Sequence, residues 1–198
     1  MTKEEAILAA ATRRLNENPT ASMTELAEAA GISRATLHRH FATREALLHR
    51  LGTRAVGEWE RVHREVGLAE AGRSRDPELL ARTMRELIHG YLHTVDEHGF
   101  ALTDHFVYGA PDLMAWIERL EKDGFAFIEA VQRAGVLNPA LPARWISDAL
   151  YGLLIGARDS LRSGNVARRD IEDLLLTTFL RGVGPAGGDA GTGTETGT

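Results

Sequence analysis

The sequence predicts an all-α protein of about nine helices, with an N-terminal three-helix helix-turn-helix domain ahead of a C-terminal helical ligand-binding and dimerisation domain. Apolar residues recur at spacings of three and four, which is the period of a helix with one buried face. No stretch alternates apolar and polar residues between hairpin turns, as a half-buried strand would. Residues that cap helices precede most of the periodic stretches, so helices are predicted along the chain as far as about residue 181.

The first four helices each begin at a hydroxyl side chain that can accept a hydrogen bond from the first turn. Glu follows the first two of these residues by three positions, which is the capping-box pattern. Gly31 ends the second helix, because glycine readily adopts the left-handed conformation found at helix ends. The predicted N-caps are Thr2, Ser22, Ser33 and Thr43.

Proline and glycine mark the later helices, because proline fits the first helical turn and glycine often ends a helix. One helix begins at Pro77 and ends by Gly99, and another begins at Pro111. A shorter helical piece is predicted around 101–108, and the last two helices over about 143–163 and 168–181. We predict three segments: the helix-turn-helix domain (1–49), the C-terminal helical domain (50–181) and a disordered tail rich in Gly and Thr (182–198).

Charge is distributed unevenly along the chain. The formal net charge is −5, but residues 1–54 carry eight basic and six acidic residues, a balance of +2. Residues 33–54 contain five arginines and only one acidic residue, Glu45. A local excess of arginine is typical of a surface that binds a polyanion such as DNA.

Residues 26–37 have the spacing of two short helices that meet at a steep angle. Ala27 is small enough for close helix approach, Gly31 makes the turn, and apolar side chains fill the wedge between the helices. The second helix is then supported from behind, and its N-terminal half can enter a DNA major groove about 12 Å wide. The wedge residues are Leu26, Ile32 and Leu37.

Two stretches within residues 22–48 resemble the N-terminal DNA-binding domain of the tetracycline-repressor (TetR) family. They are Ala27-Glu28-Ala29-Ala30-Gly31-Ile32-Ser33 and Leu37-His38-Arg39-His40-Phe41. The resemblance covers about a quarter of the chain. It implies a dimeric bacterial regulator that binds double-stranded operator DNA.

The resemblance also implies which side chains contact DNA. Recognition-helix residues would face bases or phosphates, and the start of the preceding helix would bind a phosphate. Arg44 stands where the family commonly has a phosphate-binding lysine, and His38 stands where it usually has tyrosine. We expect His38 to donate one hydrogen bond, whereas Ser22 and Ser33 can also be helix caps only. The predicted contacts are Ser22, Thr24, Ser33, Arg34, Ala35, Thr36, His38, Arg39 and Arg44.

The last two helices are predicted to form a homodimer interface. A single recognition helix reads few bases, so such proteins pair to place two helices on successive turns of DNA. The apolar faces of the last two helices are wide, and two glycines would allow close helix approach. The alternative is that they are core helices of a monomer. The predicted interface residues are Leu150, Gly152, Leu153, Gly156, Leu161, Leu175 and Phe179.

Residues 76–134 concentrate aromatic and histidine side chains, which predicts a cavity for a small-molecule effector. The predicted pocket residues are Tyr91, His105, Phe106 and Trp116. No cofactor is expected. One helical face carries Glu86, His89, His93 and Glu97. Side chains at this spacing can bind zinc. An exposed polar face has the same pattern, and we favour that interpretation.

The sequence does not indicate an enzyme. It has no cysteine, and it lacks the G-x-S-x-G and nucleotide-loop motifs. It also shows neither an export signal nor a long apolar run, so a cytoplasmic protein that does not enter a membrane is expected. We predict a repressor released from its operator by a small hydrophobic effector; the alternatives are a DNA-binding activator and a dimeric DNA binder that senses nothing.

Overall fold

The computed structural model describes residues 2–100 and 109–185, and all regular elements within these ranges are α-helices. The predicted all-α fold class is therefore confirmed. The helices of the described residues are α1 (Lys3–Glu17), α2 (Met23–Ala29), α3 (Arg34–His40), α4 (Arg44–Glu65), α5 (Leu68–Ala71), α6 (Pro77–His98), α7 (Pro111–Arg133), α8 (Ala143–Ser163) and α9 (Ile171–Val183).

Each of the first four helices begins at its predicted cap. The Ser33 hydroxyl accepts a hydrogen bond from the Thr36 amide (3.1 Å), and the Thr43 hydroxyl accepts one from the Ala46 amide (3.1 Å). The capping boxes at Thr2 and Ser22 are both complete. Local hydrogen bonds therefore define where these helices start, independently of the rest of the fold.

The first three helices and the start of α4 enclose one hydrophobic cluster, which we call the N-terminal cluster. It also includes Phe100, which follows α6 and is 2% exposed. The end of α6 is therefore packed among the N-terminal helices. The buried members are Ile7, Leu8, Ala11, Leu15, Ala21, Leu26, Ala27, Leu37, Phe41, Leu47, Leu48, Leu51 and Phe100.

A second group of buried residues, the C-terminal cluster, surrounds α6, which packs against α4, α5, α7, α8 and α9. Phe127 of α7 and Ile88 of α6 are fully buried at its centre. Helix α4 takes part in both clusters, through Leu51 near its start and Val62 near its end. A single helix therefore crosses the predicted domain boundary at residues 49 and 50.

Two segments differ from the sequence predictions. The short helix α5 was not predicted; it follows Gly67, whose φ of +63° suits glycine. Helix α9 begins at Ile171 rather than 168 and continues to Val183, because Val183 is buried and its carbonyl accepts a hydrogen bond from the Asn138 amide (2.8 Å). The predicted tail is therefore wrong at 182 and 183. The rest of it beyond residue 185, and the helix predicted around 101–108, lie outside the described residues.

Within residues 2–100 and 109–185, no helix is both long enough and apolar enough to span a bilayer.

Candidate nucleic-acid interface and ligand cavity

Helices α2 and α3 form a helix-turn-helix unit around Gly31, whose φ is +65°. The Ile32 amide donates to the Ala27 carbonyl (3.0 Å), and this bond closes the turn. Leu26 and Leu37 are fully buried behind α3. The opposite side of α3 is exposed at Arg34, Ala35, His38 and Arg39, with Thr36 half-buried.

Three of the predicted DNA contacts on α3 are connected to one another. The Ser33 and Thr36 hydroxyl oxygens lie 2.9 Å apart, and Arg39 Nη2 donates to the Thr36 hydroxyl at 3.1 Å. Ser33 therefore acts as the helix cap and also fixes the position of Thr36. In contrast, the Arg34 side chain has no hydrogen bond or ion pair to any other described residue, so its guanidinium is available to a ligand.

The start of α2 is organised by an ion pair with α1. The Ser22 amide donates to the Glu25 carboxylate (2.8 Å), and Arg14 Nη2 donates to the other carboxylate oxygen (2.8 Å). The hydrogen bond from Ser22, followed by the one from Arg14, lowers the Glu25 pKa to about 2. Ser22 is thus a helix cap, and Thr24 is exposed one residue into α2.

Arg44 has structural partners within the chain. Its Nη2 donates to the backbone carbonyls of Pro19 (3.1 Å) and Ala21 (3.3 Å), in the connection between α1 and α2. Arg44 therefore holds the start of α2 against α4. Its Nε also donates to the Ala21 carbonyl (3.4 Å), so the predicted phosphate contact would have to be made by N–H groups that these three bonds leave free.

The interaction of His38 restricts its predicted contact with a phosphate. Its Nδ1 lies 3.2 Å from the Ala42 carbonyl oxygen, which can only accept, so Nδ1 carries the proton of this bond. In a neutral imidazole, Nε2 then has no proton to donate. A hydrogen bond from His38 to a phosphate therefore requires the protonated ring, a condition that the sequence alone did not reveal.

A cavity of about 390 Å³ lies between α4, α6, α7 and α8. The aromatic rings of Trp59 and Tyr91 form part of its wall, with centroids 4.4 Å apart and an interplanar angle of 56°. His63, from the next turn of α4, hydrogen-bonds to the Tyr91 hydroxyl through Nε2. The other ring nitrogen of His63 is buried and has no partner among the described residues.

The cavity lining carries more negative than positive charge. Glu121 and Asp148 contribute two carboxylates, and Arg144 contributes one guanidinium. Burial lowers the pKa of His63 and raises that of Tyr91, so both side chains favour their neutral forms. The formal charge of the lining is therefore −1 when His63 is neutral.

Residues 7–51 match the family model described as "Bacterial regulatory proteins, tetR family". The match covers most of α1, all of α2 and α3 with their turn, and the start of α4. Residues 7–51 are therefore a DNA-binding domain of the TetR type. Members of this family are DNA-binding transcriptional regulators, so the chain is a regulator of this kind and not an enzyme.

Full-length relatives extend this assignment. The chain is 25% identical to the transcriptional repressor LfrR of Mycolicibacterium smegmatis over 185 residues, which are 90% of this chain and 88% of LfrR. It is 29% identical to the transcriptional regulator NfxB of Pseudomonas aeruginosa over 90% of this chain and 93% of NfxB. The TetR-like regulator LfrR from Mycobacterium smegmatis in complex with proflavine has the same fold, with a TM-score of 0.64 and 23% identity over 91% of this chain and 96% of that one.

The predicted pocket residues lie in different places. Tyr91 lines the cavity, but Trp116 is not part of its wall. The indole nitrogen of Trp116 instead donates to Glu60 (3.0 Å), which places this side chain in the packing of α7 against α4. His105 and Phe106 lie outside the described residues.

Sequence reasoning missed the contribution of α4 and α8 to the cavity. It restricted the pocket to residues 76–134, whereas Trp59, His63 and Asp148 lie outside that range. One signal was present: Val56, Trp59 and His63 continue the buried face of α4 at helical spacing. The covering of that face by α7 and α8 became clear only from the structure.

Glu86, His89, His93 and Glu97, the possible zinc ligands in the sequence, are exposed on α6. His89 instead contacts Glu172 of α9 (2.9 Å), and His93 lies 3.8 Å from Glu97 on its own helix. In the part of the chain that the structure describes, no group of three or more His, Cys, Asp or Glu residues is placed to hold a metal ion.

The residues predicted for the dimer interface fall into two groups. Leu150, Leu175 and Phe179 are 7%, 4% and 1% exposed within the single chain, so they cannot offer surface to a partner. These three are corrected to core residues, because α6 covers that side of α8 and α9. The other four remain at least partly exposed: Gly152, Leu153, Gly156 and Leu161.

Proposed function

We propose that this TetR-family protein is a homodimeric repressor, released from its operator when a planar aromatic cation occupies the cavity. The observation that carries the proposal is that α4 and α6 connect the cavity to the N-terminal cluster. Both helices line the cavity, the start of α4 belongs to that cluster, and so does Phe100, directly after α6. A ligand between these helices can therefore change how the helix-turn-helix units are held. For this release, the ligand needs only to bind one of two conformations of the protein more tightly than the other.

The exposed face of α3 supports the DNA contact. Arg34 is unpaired within the described residues, and the Thr36 hydroxyl is held by Ser33 and Arg39. A free guanidinium suits a phosphate or a guanine edge, whereas a fixed hydroxyl suits readout of a base. We expect Arg34 to contribute affinity and Thr36 to contribute sequence preference.

The DNA contact can be tested by fluorescence anisotropy on a duplex selected from random-sequence DNA with the wild-type protein. Arg34→Ala should weaken binding, and it should reduce the slope of log affinity against log salt by about 0.9 if Arg34 contacts one phosphate. Thr36→Ala should reduce the difference in affinity between the selected duplex and a duplex of scrambled sequence. Arg64→Ala, an exposed arginine near the end of α4, is the control. Equal binding by all four proteins would refute the interface.

The outer faces of α8 and α9 support a homodimer. Leu174 is 50% exposed and Trp145 is 60% exposed, although both are large and apolar. Gly152 and Gly156 have no neighbouring atom within 4 Å of an added Cβ, so they form a flat strip on α8. A second copy could approach this strip closely, as TetR regulators act as dimers.

Sedimentation velocity tests the dimer. Gly156→Arg adds a large charged side chain to the strip at a position where an added Cβ has no atom of its own chain within 4 Å, so it should shift the protein to monomer and weaken operator binding. Ala69→Arg, at an exposed position of α5, is the matched control and should stay dimeric. A dimeric Gly156→Arg protein would show that the interface lies elsewhere.

The cavity supports the effector class. Trp59 and Tyr91 offer aromatic faces for stacking, and Glu121 and Asp148 favour a positive charge that a neutral His63 does not oppose. The structure of LfrR with proflavine shows that a relative of this fold binds a planar dye. We therefore expect proflavine to bind this protein more tightly than the neutral tricycle acridone.

Calorimetry without DNA tests the effector class. Asp148→Asn and Glu121→Gln should each weaken proflavine binding, by about fivefold to tenfold, and leave acridone unaffected. Glu118→Gln is the control, because Glu118 is an exposed carboxylate of α7 that does not line this cavity. Tighter binding of acridone than of proflavine would refute a cation and leave a hydrophobic effector standing.

DNA release needs a further control, because planar cations also insert between base pairs. Release is therefore measured as the difference between the wild type and the double variant Glu121→Gln, Asp148→Asn on the same duplex. A repressor that senses the dye loses its operator, whereas the double variant keeps it. Equal behaviour of the two proteins would favour the alternative of a dimeric DNA binder that senses nothing, and tighter operator binding with dye would favour an activator.

A further inference from the structure

The side chain of Asn16 joins α1 to the carboxyl end of α6. The Asn16 Nδ2 donates to the Glu97 carbonyl (2.7 Å), and the Phe100 amide donates to Asn16 Oδ1 (2.9 Å). The last carbonyls of a helix have no partner within the helix. A carboxamide from α1 therefore completes the end of α6 and uses both its donor and its acceptor to do so.

Packing reinforces this attachment on both sides. Phe100 belongs to the N-terminal cluster, so the residue after α6 is held by the same helices that support α3. From the other side, Arg158 of α8 donates through Nη1 to the Gly99 carbonyl (2.6 Å). The segment 97–100 thus lies between the N-terminal helices and α8, with polar contacts to each.

The same helix reaches the cavity. Tyr91 lines the cavity and precedes Glu97 by six residues, which is about 9 Å along a helix. A helix segment of this length moves as a rigid unit, because its backbone hydrogen bonds are maintained. A ligand that displaces Tyr91 would therefore also displace the carbonyl that Asn16 holds.

From Asn16 the contacts continue towards the DNA-binding surface. Arg14, two residues earlier on α1, pairs with Glu25 (2.8 Å), and Glu25 accepts the Ser22 amide at the start of α2. Helix α2 in turn packs against α3. A shift of α1 therefore changes the placement of both helices of the helix-turn-helix unit.

We propose that Asn16 is the positioning residue through which occupation of the cavity reaches the DNA-binding helices. This inference rests on the proposed function, because it requires a ligand in the cavity. It differs from a route through α4 alone, in which a ligand against Trp59 and His63 moves the recognition helix directly. The α4 route does not involve the side chain of Asn16.

Asn16→Ala distinguishes the two routes. The coupling factor is the operator dissociation constant with saturating proflavine divided by that without, corrected for intercalation with the Glu121→Gln, Asp148→Asn double variant. We expect Asn16→Ala to reduce this factor at least fivefold while dye affinity stays within twofold of wild type. Asn138→Ala is the matched control: it also loses a side-chain bond to a backbone amide (Ala140, 2.9 Å), but it joins no helix of the N-terminal cluster to α6.

Two further measurements keep the test decisive. Asn16→Asp retains the acceptor for the Phe100 amide and loses the donor to Glu97, so its coupling factor should fall between those of wild type and Asn16→Ala; it replaces Asn16→Ala if that variant does not fold. Hydrogen exchange at the Phe100 amide should accelerate in wild type on adding proflavine, and it should be fast in Asn16→Ala without dye.

Each result has a distinct meaning. A wild-type coupling factor well above one with an unchanged factor in Asn16→Ala overturns the role of Asn16 and leaves the proposed function intact. A wild-type factor of one overturns both proposals. A factor that falls together with dye affinity or with the melting temperature would make Asn16 a folding residue and would also overturn its role in coupling.

Discussion

The N-terminal and C-terminal clusters of this protein are built in different ways. Helices α2 and α3 have seven residues each, too few to be stable alone, and each begins at a hydroxyl cap. Helices α7 and α8 have 23 and 21 residues, and neither start has a side-chain cap. Local polar bonds thus shape the DNA-binding region, whereas long-range apolar packing shapes the region around the cavity.

This difference corresponds to the two proposed tasks. A surface that reads DNA must hold its side chains in one geometry, and the bonds among Ser33, Thr36 and Arg39 do so. A region that senses a ligand needs space that the ligand can fill, and the C-terminal helices leave about 390 Å³ of it. The DNA-binding surface is therefore held by local hydrogen bonds, whereas the packing of the C-terminal helices leaves a cavity.

Replacing a buried leucine by alanine should lower the free energy of unfolding by different amounts in the two clusters. Leu37 is fully buried behind α3, whereas Leu154 is buried but lines the cavity. We expect Leu37→Ala to lower the free energy of unfolding by about 3 kcal/mol and Leu154→Ala by less, because a side chain beside an empty space has fewer packing contacts to lose. Urea unfolding measures both. A larger loss for Leu154→Ala would contradict the comparison.

A smaller effect is expected where α4 and α6 approach most closely. A Cβ added at Gly90 would lie 2.6 Å from Val62 Cγ1, so Gly90→Ala should push the two helices apart and destabilise the protein by about 2 kcal/mol. Thermal unfolding measures this loss, and proflavine titration reports the accompanying change in the cavity.

Val62→Ala provides the rescue for this variant, because it removes the methyl groups that the new side chain would meet. The double variant should be more stable than the sum of the two single losses predicts. Gly182→Ala is the control, since an added Cβ there has no atom within 4 Å. Additive losses in the double variant would show that Gly90 is not needed for the approach of the helices.

The smallest effect is the pH dependence of the Glu25 contact. The folded pKa of about 2 lies below the ordinary value of 4.5, so the unfolded chain binds a proton first as the pH falls. The stabilisation by Glu25 is therefore complete above about pH 4.5 and is lost as the pH approaches 2. The difference in melting temperature between wild type and Glu25→Gln should shrink over this range. A difference that stays constant from pH 6 to pH 2 would show that the charge of Glu25 does not contribute.

Much of the DNA-binding region could be predicted because its determinants are neighbours in sequence. A hydroxyl and the amide three residues later report a helix start directly, and Leu26, Ile32 and Leu37 share one short motif. The partners of Arg44 and His38 could not be predicted. They depend on which backbone carbonyl comes within reach after folding: Ala21 for Arg44 and Ala42 for His38.

The cavity was the harder prediction, as two tryptophans show. Trp59 and Trp116 both lie on apolar helix faces, yet only Trp59 lines the cavity, whereas the indole of Trp116 donates to Glu60. Helical period identifies the buried side of each helix, but it does not identify the neighbour that covers each part of that side. The same limit placed Phe179 at a dimer interface, although this residue of α9 is buried within its own chain, on the side that α6 covers.

By itself, the sequence of this protein determined the helical fold, the starts of its first four helices and a helix-turn-helix unit with exposed arginines, because these depend on residues within a few positions of one another. Tertiary structure alone decided which aromatic and charged side chains surround the cavity, and that Asn16 completes the end of α6. Those contacts join residues more than 80 positions apart in the case of Asn16 and Phe100, and only the packing of whole helices brings such residues together.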